Sequence, residues 1–205
     1  MKCVRRLGSA FGLFFAGALS LSQGLSATVV YIDDLQTMTR QSDVVIHAVV
    51  ADQTVKEDGD GRILTISTLE ILYGLKGAKT GELITLYQVG GELGGRVLKV
   101  LGAQNYTFGE EVVLFGVRLG DMIVSYSVGL GKFKVLRDDN QIRVVEDLND
   151  LVEAKPTSTG ELTFDEPHPR KYPSLDGFKA AIRESIAVPN GPQPLRTKVK
   201  DRGAK

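Results

Sequence analysis

The chain reads as a mainly β protein, a sandwich or small barrel of short antiparallel strands with a short helix before it and a longer helix after it. Three observations predict this. All seven prolines lie after residue 155, while 19 of the 23 glycines lie before it. Proline cannot donate to a strand ladder and glycine supplies turns, so a proline-free, glycine-punctuated block suits antiparallel sheet. Short runs rich in β-branched residues follow one another closely in that block, separated by glycine, aspartate and asparagine. Finally, 42% hydrophobic and 24% charged residues describe an ordinary globular chain of 205 residues, not a disordered one.

The elements are expected after a leader. Residues 1–27 carry Lys2, Arg5 and Arg6, then an apolar run from Leu7 to Leu21, then small polar residues. This is the pattern of a cleavable export signal, cut between Ala27 and Thr28, with Ser26 as the alternative site. The apolar run is short for a membrane span, and nothing downstream resembles one. Cys3 is the only cysteine and lies in the leader, so the mature chain is expected to have no disulfide. The expected location is the periplasm or the outside of the cell.

From Thr28 the expectations run as follows. Residues 33–41 suit a short helix, with the acidic pair Asp33-Asp34 at its front. A first strand spans 43–55, then a turn at 57–61, then a second strand at 62–73. The second strand changes phase near Ser67-Thr68, from Leu64 and Ile66 to Leu69 and Ile71, which predicts a bulge where a strand bends around a barrel. A turn at 74–81 leads to a third strand at 83–89. A loop of paired glycines (Gly90-Gly91, Gly94-Gly95) precedes a weak strand at 97–101. Residues 111–119 are apolar on both faces and so central. Gly120-Asp121 is a tight hairpin turn into 122–128. A last hairpin joins 133–137 to 142–145. The barrel domain is thus expected over 28–153, a surface linker over 154–173, a helix over 174–188 capped by Ser174 and lying on the barrel, and a disordered basic tail over 189–205.

Three segments carry a family resemblance. SDVVIHAVVADQTV (42–55), LEILYGLKG (69–77) and YTFGEEVVLFG (106–116) follow in this order. The order resembles largely uncharacterised secreted bacterial β-barrel domains with a "sDlVv.g.V" strand, a strand ending "v.e.LKG" and a "f..GeevllF" strand. It is also similar to the netrin-like, OB-fold module of tissue inhibitors of metalloproteinases. The resemblance spans 36–119 and implies a small OB-like antiparallel β-barrel. It implies metallopeptidase inhibition as one function, although the N-terminal cysteine that chelates zinc in those inhibitors has no counterpart at Thr28.

The chemical signals exclude more than they assign. After the leader the chain carries a net charge of −3, and without the basic tail −7, which argues against nucleic acid as the main partner. His47 and His168 are far apart in sequence, so neither a metal site nor a cofactor site is expected. Asp58-Gly59-Asp60-Gly61 begins like a calcium loop, but Arg62, Ile63 and Leu64 follow where oxygen ligands are needed, so a hairpin turn is expected. The glycine pairs open no helix and so form no phosphate loop. No nucleophile, base and orienting group assemble, so no catalytic residue is expected. The leading expectation is an exported, non-catalytic module that binds a protein or cell-envelope partner, with the tail adding a weak contact to anionic surfaces. The candidate binding loops are Gly90, Gly91, Gly94, Gly95 and Arg96, together with Gln104, Asn105 and Tyr106. The alternatives are a netrin-like metallopeptidase inhibitor and, third, a hydrolase that uses carboxylates alone.

Overall fold

The computed structural model describes residues 28–138, 141–148 and 151–188. The expected leader with Ala27, and the expected tail at 189–205, lie outside them. The chain runs β1 (Thr28–Val30), α1 (Leu35–Gln41), β2 (Val44–Glu57), β3 (Ile63–Lys76), β4 (Leu83–Val89), β5 (Gly91–Leu93), β6 (Arg96–Leu98), β7 (Glu111–Leu119), β8 (Met122–Ser125), β9 (Lys132–Asp138), β10 (Gln141–Glu146), β11 (Leu151–Pro156), β12 (Leu162–Asp165), β13 (Lys171–Tyr172) and α2 (Leu175–Ala187). It is mainly β, with antiparallel pairing dominant. The largest sheet has the order β13-β10-β9-β7-β2-β3-β4-β8, and β8 also pairs with β7. The β4–β8 contact is parallel and made at Leu86–Ile123. A second sheet has the order β1-β11-β12, and β5-β6 form a separate hairpin.

Two apolar cores sit on opposite faces of β2 and β7. Val44, Ile46, Ala48, Leu69, Leu86, Leu114 and Ile123 fill one. Val45, Val113, Phe115 and Phe133 face the other, where Met38 of α1 and Phe178 and Ile182 of α2 cover them. Strands buried on both faces read as near-continuous apolar runs, as VVLF does and as VVIHAVV does apart from His47. The phase change in β3 has its bulge on the partner strand: Val50 faces Leu69 and Asp52 faces Thr68, leaving Ala51 as the extra residue.

The residues of the family-like pattern meet at one corner. Lys76 Nζ donates to the carbonyls of Thr39 (2.8 Å), Arg40 (3.1 Å) and Ser42 (2.6 Å), so a cation caps the C-terminal end of α1. Gly77 has φ +68°, and an added Cβ there would overlap the Asp43 carbonyl oxygen. The Asp43 carboxylate accepts from the Arg118 amide at 2.8 Å, and the Asp43 amide donates to Gly116 at 2.8 Å. These residues hold α1 onto the strands.

Several boundaries differ from the sequence expectation. The stretch expected as a linker, 154–173, contains the end of β11 and all of β12 and β13. Its prolines suggested a linker, but Pro156 ends a strand and Pro167, Pro169 and Pro173 lie between elements, where a missing N–H costs nothing. Arg170 fastens this stretch. Its Nε donates to Glu146 at 2.8 Å, its Nη1 to the Asp33 carbonyl at 3.0 Å, and its guanidinium lies 5.4 Å from the Phe133 ring. Thr28–Val30, expected only as the start of the mature chain, is a strand parallel to Leu151–Glu153. The paired-glycine loop is the β5–β6 hairpin, turning at Gly94 (φ +58°) and Gly95 (φ +77°). β8 stops at Ser125 because Ser127 and Val128 adopt positive φ. α2 begins at Leu175, after the expected cap Ser174, whose hydroxyl accepts from Gly177 N at 3.1 Å.

Candidate functional site

A cavity of about 450 Å³ opens beside the β5–β6 hairpin. Strands supply one side: Gln53 and Val55 from β2, Thr65 from β3, and Gln88 and Val89 from β4. The hairpin and the following segment supply the other, with Gly90, Glu92, Val97, Lys99 and Asn105 among them. Period-2 alternation turns alternate strand side chains toward the cavity, and the hairpin folds over them.

Glycine makes that fold possible. Gly90 (φ +116°) and Gly91 (φ +132°) occupy conformations that other residues rarely adopt. At Gly91 a side chain would press on Thr65 Oγ1 at 2.5 Å and Val55 Cγ1 at 3.2 Å. Thr65 Oγ1 donates to the Gly90 carbonyl at 2.7 Å and locks the entry to the hairpin. Gln53 Nε2 donates to Ser67 Oγ (3.0 Å) and to the Tyr106 carbonyl (2.8 Å), and Gln88 Nε2 donates to the Gln104 carbonyl. Two strand amides therefore hold the 104–106 backbone against the sheet. The resulting wall combines amides, aliphatic groups and one charge of each sign, Glu92 and Lys99.

The structure brings together part of the expected binding set. Gly90, Gly91, Gln104, Asn105 and Tyr106 line the cavity, whereas Gly94, Gly95 and Arg96 do not. The glycine pair is the exposed hairpin tip, and Arg96 forms an ion pair with Glu57. Gln104 and Tyr106 contribute differently from the expectation, because both are buried. Gln104 Nε2 donates to the carbonyls of Gly129 (2.8 Å) and Asp147 (3.0 Å), and its Oε1 accepts from Ser125 Oγ at 2.9 Å. The Tyr106 ring belongs to the core between β2, β3, β4, β7 and β8, and burial pushes its hydroxyl pKa up. Asn105 alone of the three is exposed.

Behind the loop lies a buried ion cluster. Lys132 is 1% exposed; its ammonium contacts the Glu110 carboxylate at 2.8 Å, Asp147 at 3.2 Å, the Asn105 carbonyl, and the Tyr106 ring at 4.7 Å. Lys134 also reaches Asp147, at 3.0 Å. Buried charges persist only when paired, and this pairing anchors the loop that carries Asn105. Sequence reasoning missed Gln53, Gln88 and Lys132. The available signal was a long polar side chain inside an otherwise β-branched or aromatic strand.

His47 stands apart from the cavity. Its Nε2 lies 2.5 Å from Glu111 Oε1, and Arg137 holds the same carboxylate with Nε and Nη2, both at 2.6 Å. Burial holds the His47 pKa down, against the Glu111 hydrogen bond that raises it. Its Nδ1 is buried with no hydrogen-bond partner among the described residues. A pinned, 4% exposed ring of this kind fastens β2 to β7. Among the described residues no group of three or more His, Cys, Asp or Glu side chains is placed to hold a metal ion. The Asp58 loop is an Asx turn: Asp58 Oδ1 accepts from the amides of Asp60 (3.0 Å) and Arg62 (2.9 Å). Among the described residues no helix is long and apolar enough to cross a membrane.

No protein-family model, no curated protein and no solved structure matches the chain.

Proposed function

We propose that the chain is an exported, non-catalytic binding module built on a small OB-type barrel, and that it holds its partner in the cavity beside the β5–β6 hairpin. The barrel reading is supported by the pairings, which run β2-β3-β4-β8-β7 and return to β2, with β4–β8 parallel and the rest antiparallel. OB-type barrels bind on the face of their second and third strands and the adjoining loops. Those strands correspond to β3 and β4, which carry Thr65, Gln88 and Val89. The observation that carries the function is the cavity itself, about 450 Å³ in volume and walled on that face by amides and aliphatic side chains. Export rests on the leader pattern of residues 1–27.

The acids give no support to hydrolysis. Glu110 and Asp147 are neutralised by Lys132, and Glu111 by Arg137. The netrin-like inhibitor reading requires an accessible amine at Thr28, yet the Thr28–Val30 backbone is paired with β11.

The test is site-specific photo-crosslinking of the purified mature chain with cell-envelope extract. A crosslinker at Val97, in the cavity wall, should capture a discrete partner, whereas one at Leu136, exposed on β9, should not. Equal labelling from both positions, or turnover in a broad hydrolase screen with no captured partner, would overturn the proposal.

A further inference from the structure

β12 ends its sheet, so one side of its backbone has no strand beside it. Thr157 N donates to the Glu161 carbonyl at 2.7 Å, which makes 157 and 161 a hydrogen-bonded pair. Antiparallel pairs alternate, so Lys155–Thr163 and Glu153–Asp165 bond likewise, whereas Pro156–Leu162 and Ala154–Phe164 do not. Proline at 156 agrees with this, having no N–H to exchange. The N–H and C=O groups of Leu162 and Phe164 therefore point away from β11, toward the open edge.

The two faces beside that edge differ in chemistry. Leu162 and Phe164 lie on one, 46% and 57% exposed, and Val29, on the same face of the sheet, is 51% exposed. Glu161, Thr163 and Asp165 lie on the other, Glu166 follows, and all of these are exposed. Among the described residues only Lys155 pairs with these acids, 3.8 Å from Asp165, and it is shared with Glu153 at 2.9 Å. An exposed apolar edge is a template for a further strand, and here charge selects which strand. A second copy paired about Thr163 would set Glu161 against Asp165 twice, which like charges oppose.

We propose that the free edge of β12 takes up an extended segment of a basic partner protein as an added antiparallel strand. Its apolar side chains lie opposite Leu162 and Phe164, and its lysine or arginine side chains opposite Glu161 and Asp165. Leu162 and Phe164 contribute two backbone donors and two acceptors, apolar pairs cover one face, and opposite charges meet on the other. No residue of 161–166 lines the cavity, so this surface is separate from the one beside the β5–β6 hairpin.

The probe is acetyl-Lys-Val-Lys-Val-Lys-amide, whose valines fall opposite Leu162 and Phe164 and whose lysines fall opposite Glu161, Thr163 and Asp165. Amide hydrogen exchange is measured by NMR on the full mature chain with and without it. At millimolar probe the Leu162 and Phe164 amides should exchange at least about fivefold more slowly, with Val113 and Phe115 unchanged. Combined E161K and D165K should lose this protection and gain it instead from a probe carrying Glu in place of Lys. N-methylation of both probe valines removes their donors, keeps every charge, and should abolish the protection. No slowing, equal slowing by the Lys and Glu probes, or protection that survives N-methylation overturns the proposal. So does protection that rises with protein concentration in the absence of probe, which would assign the edge to another copy.

Discussion

His47 couples its protonation to folding. Burial holds its folded pKa below the ordinary 6.5, the Glu111 hydrogen bond opposes this, and the Lys179 ammonium adds to it. A histidine with a depressed folded pKa binds its proton more readily when unfolded. Its contribution is complete above about pH 6.5 and is lost as pH falls through the window below. Glu111 works in the same direction at lower pH. Burial alone would raise its pKa, but hydrogen bonds from Arg137 and His47 hold it below the ordinary 4.5. The urea midpoint should therefore decline between about pH 7.5 and pH 5.5, and H47Q should flatten that slope. Parallel slopes would remove His47 from the account. Two glycines make a sharper contrast. Gly77 and Gly95 both have positive φ, but an added Cβ meets the Asp43 carbonyl at Gly77 and open space at Gly95. G95A should cost about 1 kcal/mol and G77A roughly 3 kcal/mol or more, read from denaturant midpoints.

Among the elements, the stretch from Gln104 to Glu111 depends on the first residue of β9. Replacing Lys132 by methionine removes the ammonium that bridges Glu110 and Asp147, while Lys134 still reaches Asp147. About 3–5 kcal/mol should be lost, seen as a fall in the thermal midpoint, and a change below about 1 kcal/mol would show that water replaces the ammonium. The elements also show what could be read from residues alone. β2 and β7 were legible because burial on both faces leaves an unbroken apolar run, and α2 because Ser174 and a 3.6-residue stripe mark it. β12 was not, since its four residues are all exposed and carry no core-facing alternation. β1 is three residues long and takes its pairing from Leu151–Glu153, a partner no local pattern can announce. The loop at 104–106 was legible as a place but not in its chemistry. An irregular segment has no period, so nothing in Gln104-Asn105-Tyr106 tells which of the three turns inward.

For the molecule as a whole, the two cores share strands, since Val44 and Val45 face opposite sides of β2, and Leu114 and Phe115 opposite sides of β7. Neither core can dissolve while the other keeps these strands in place, so unfolding should be a single transition. Phe178 tests this from the outer layer. Fully buried, it lies 4.2 Å from the Tyr172 ring and 4.8 Å from the Phe133 ring. F178A should cost about 3–5 kcal/mol and move tyrosine fluorescence and far-ultraviolet circular dichroism to the same lower midpoint. Separate midpoints for the two probes would show that α2 and its core form an independent unit.

The pairing of β2 with β7 has a consequence in time. It joins Val44 to Gly116 and Glu111 to Val49, closing a stretch of about seventy residues before either strand has both neighbours. The entropy of that closure must be met early, while the contacts that repay it arrive late. Refolding from urea should accordingly take milliseconds to seconds in stopped-flow fluorescence, not microseconds. During that interval the apolar faces of both strands stand open to solvent. A chain with this topology leaves those faces uncovered for longer after synthesis than one built from local contacts would.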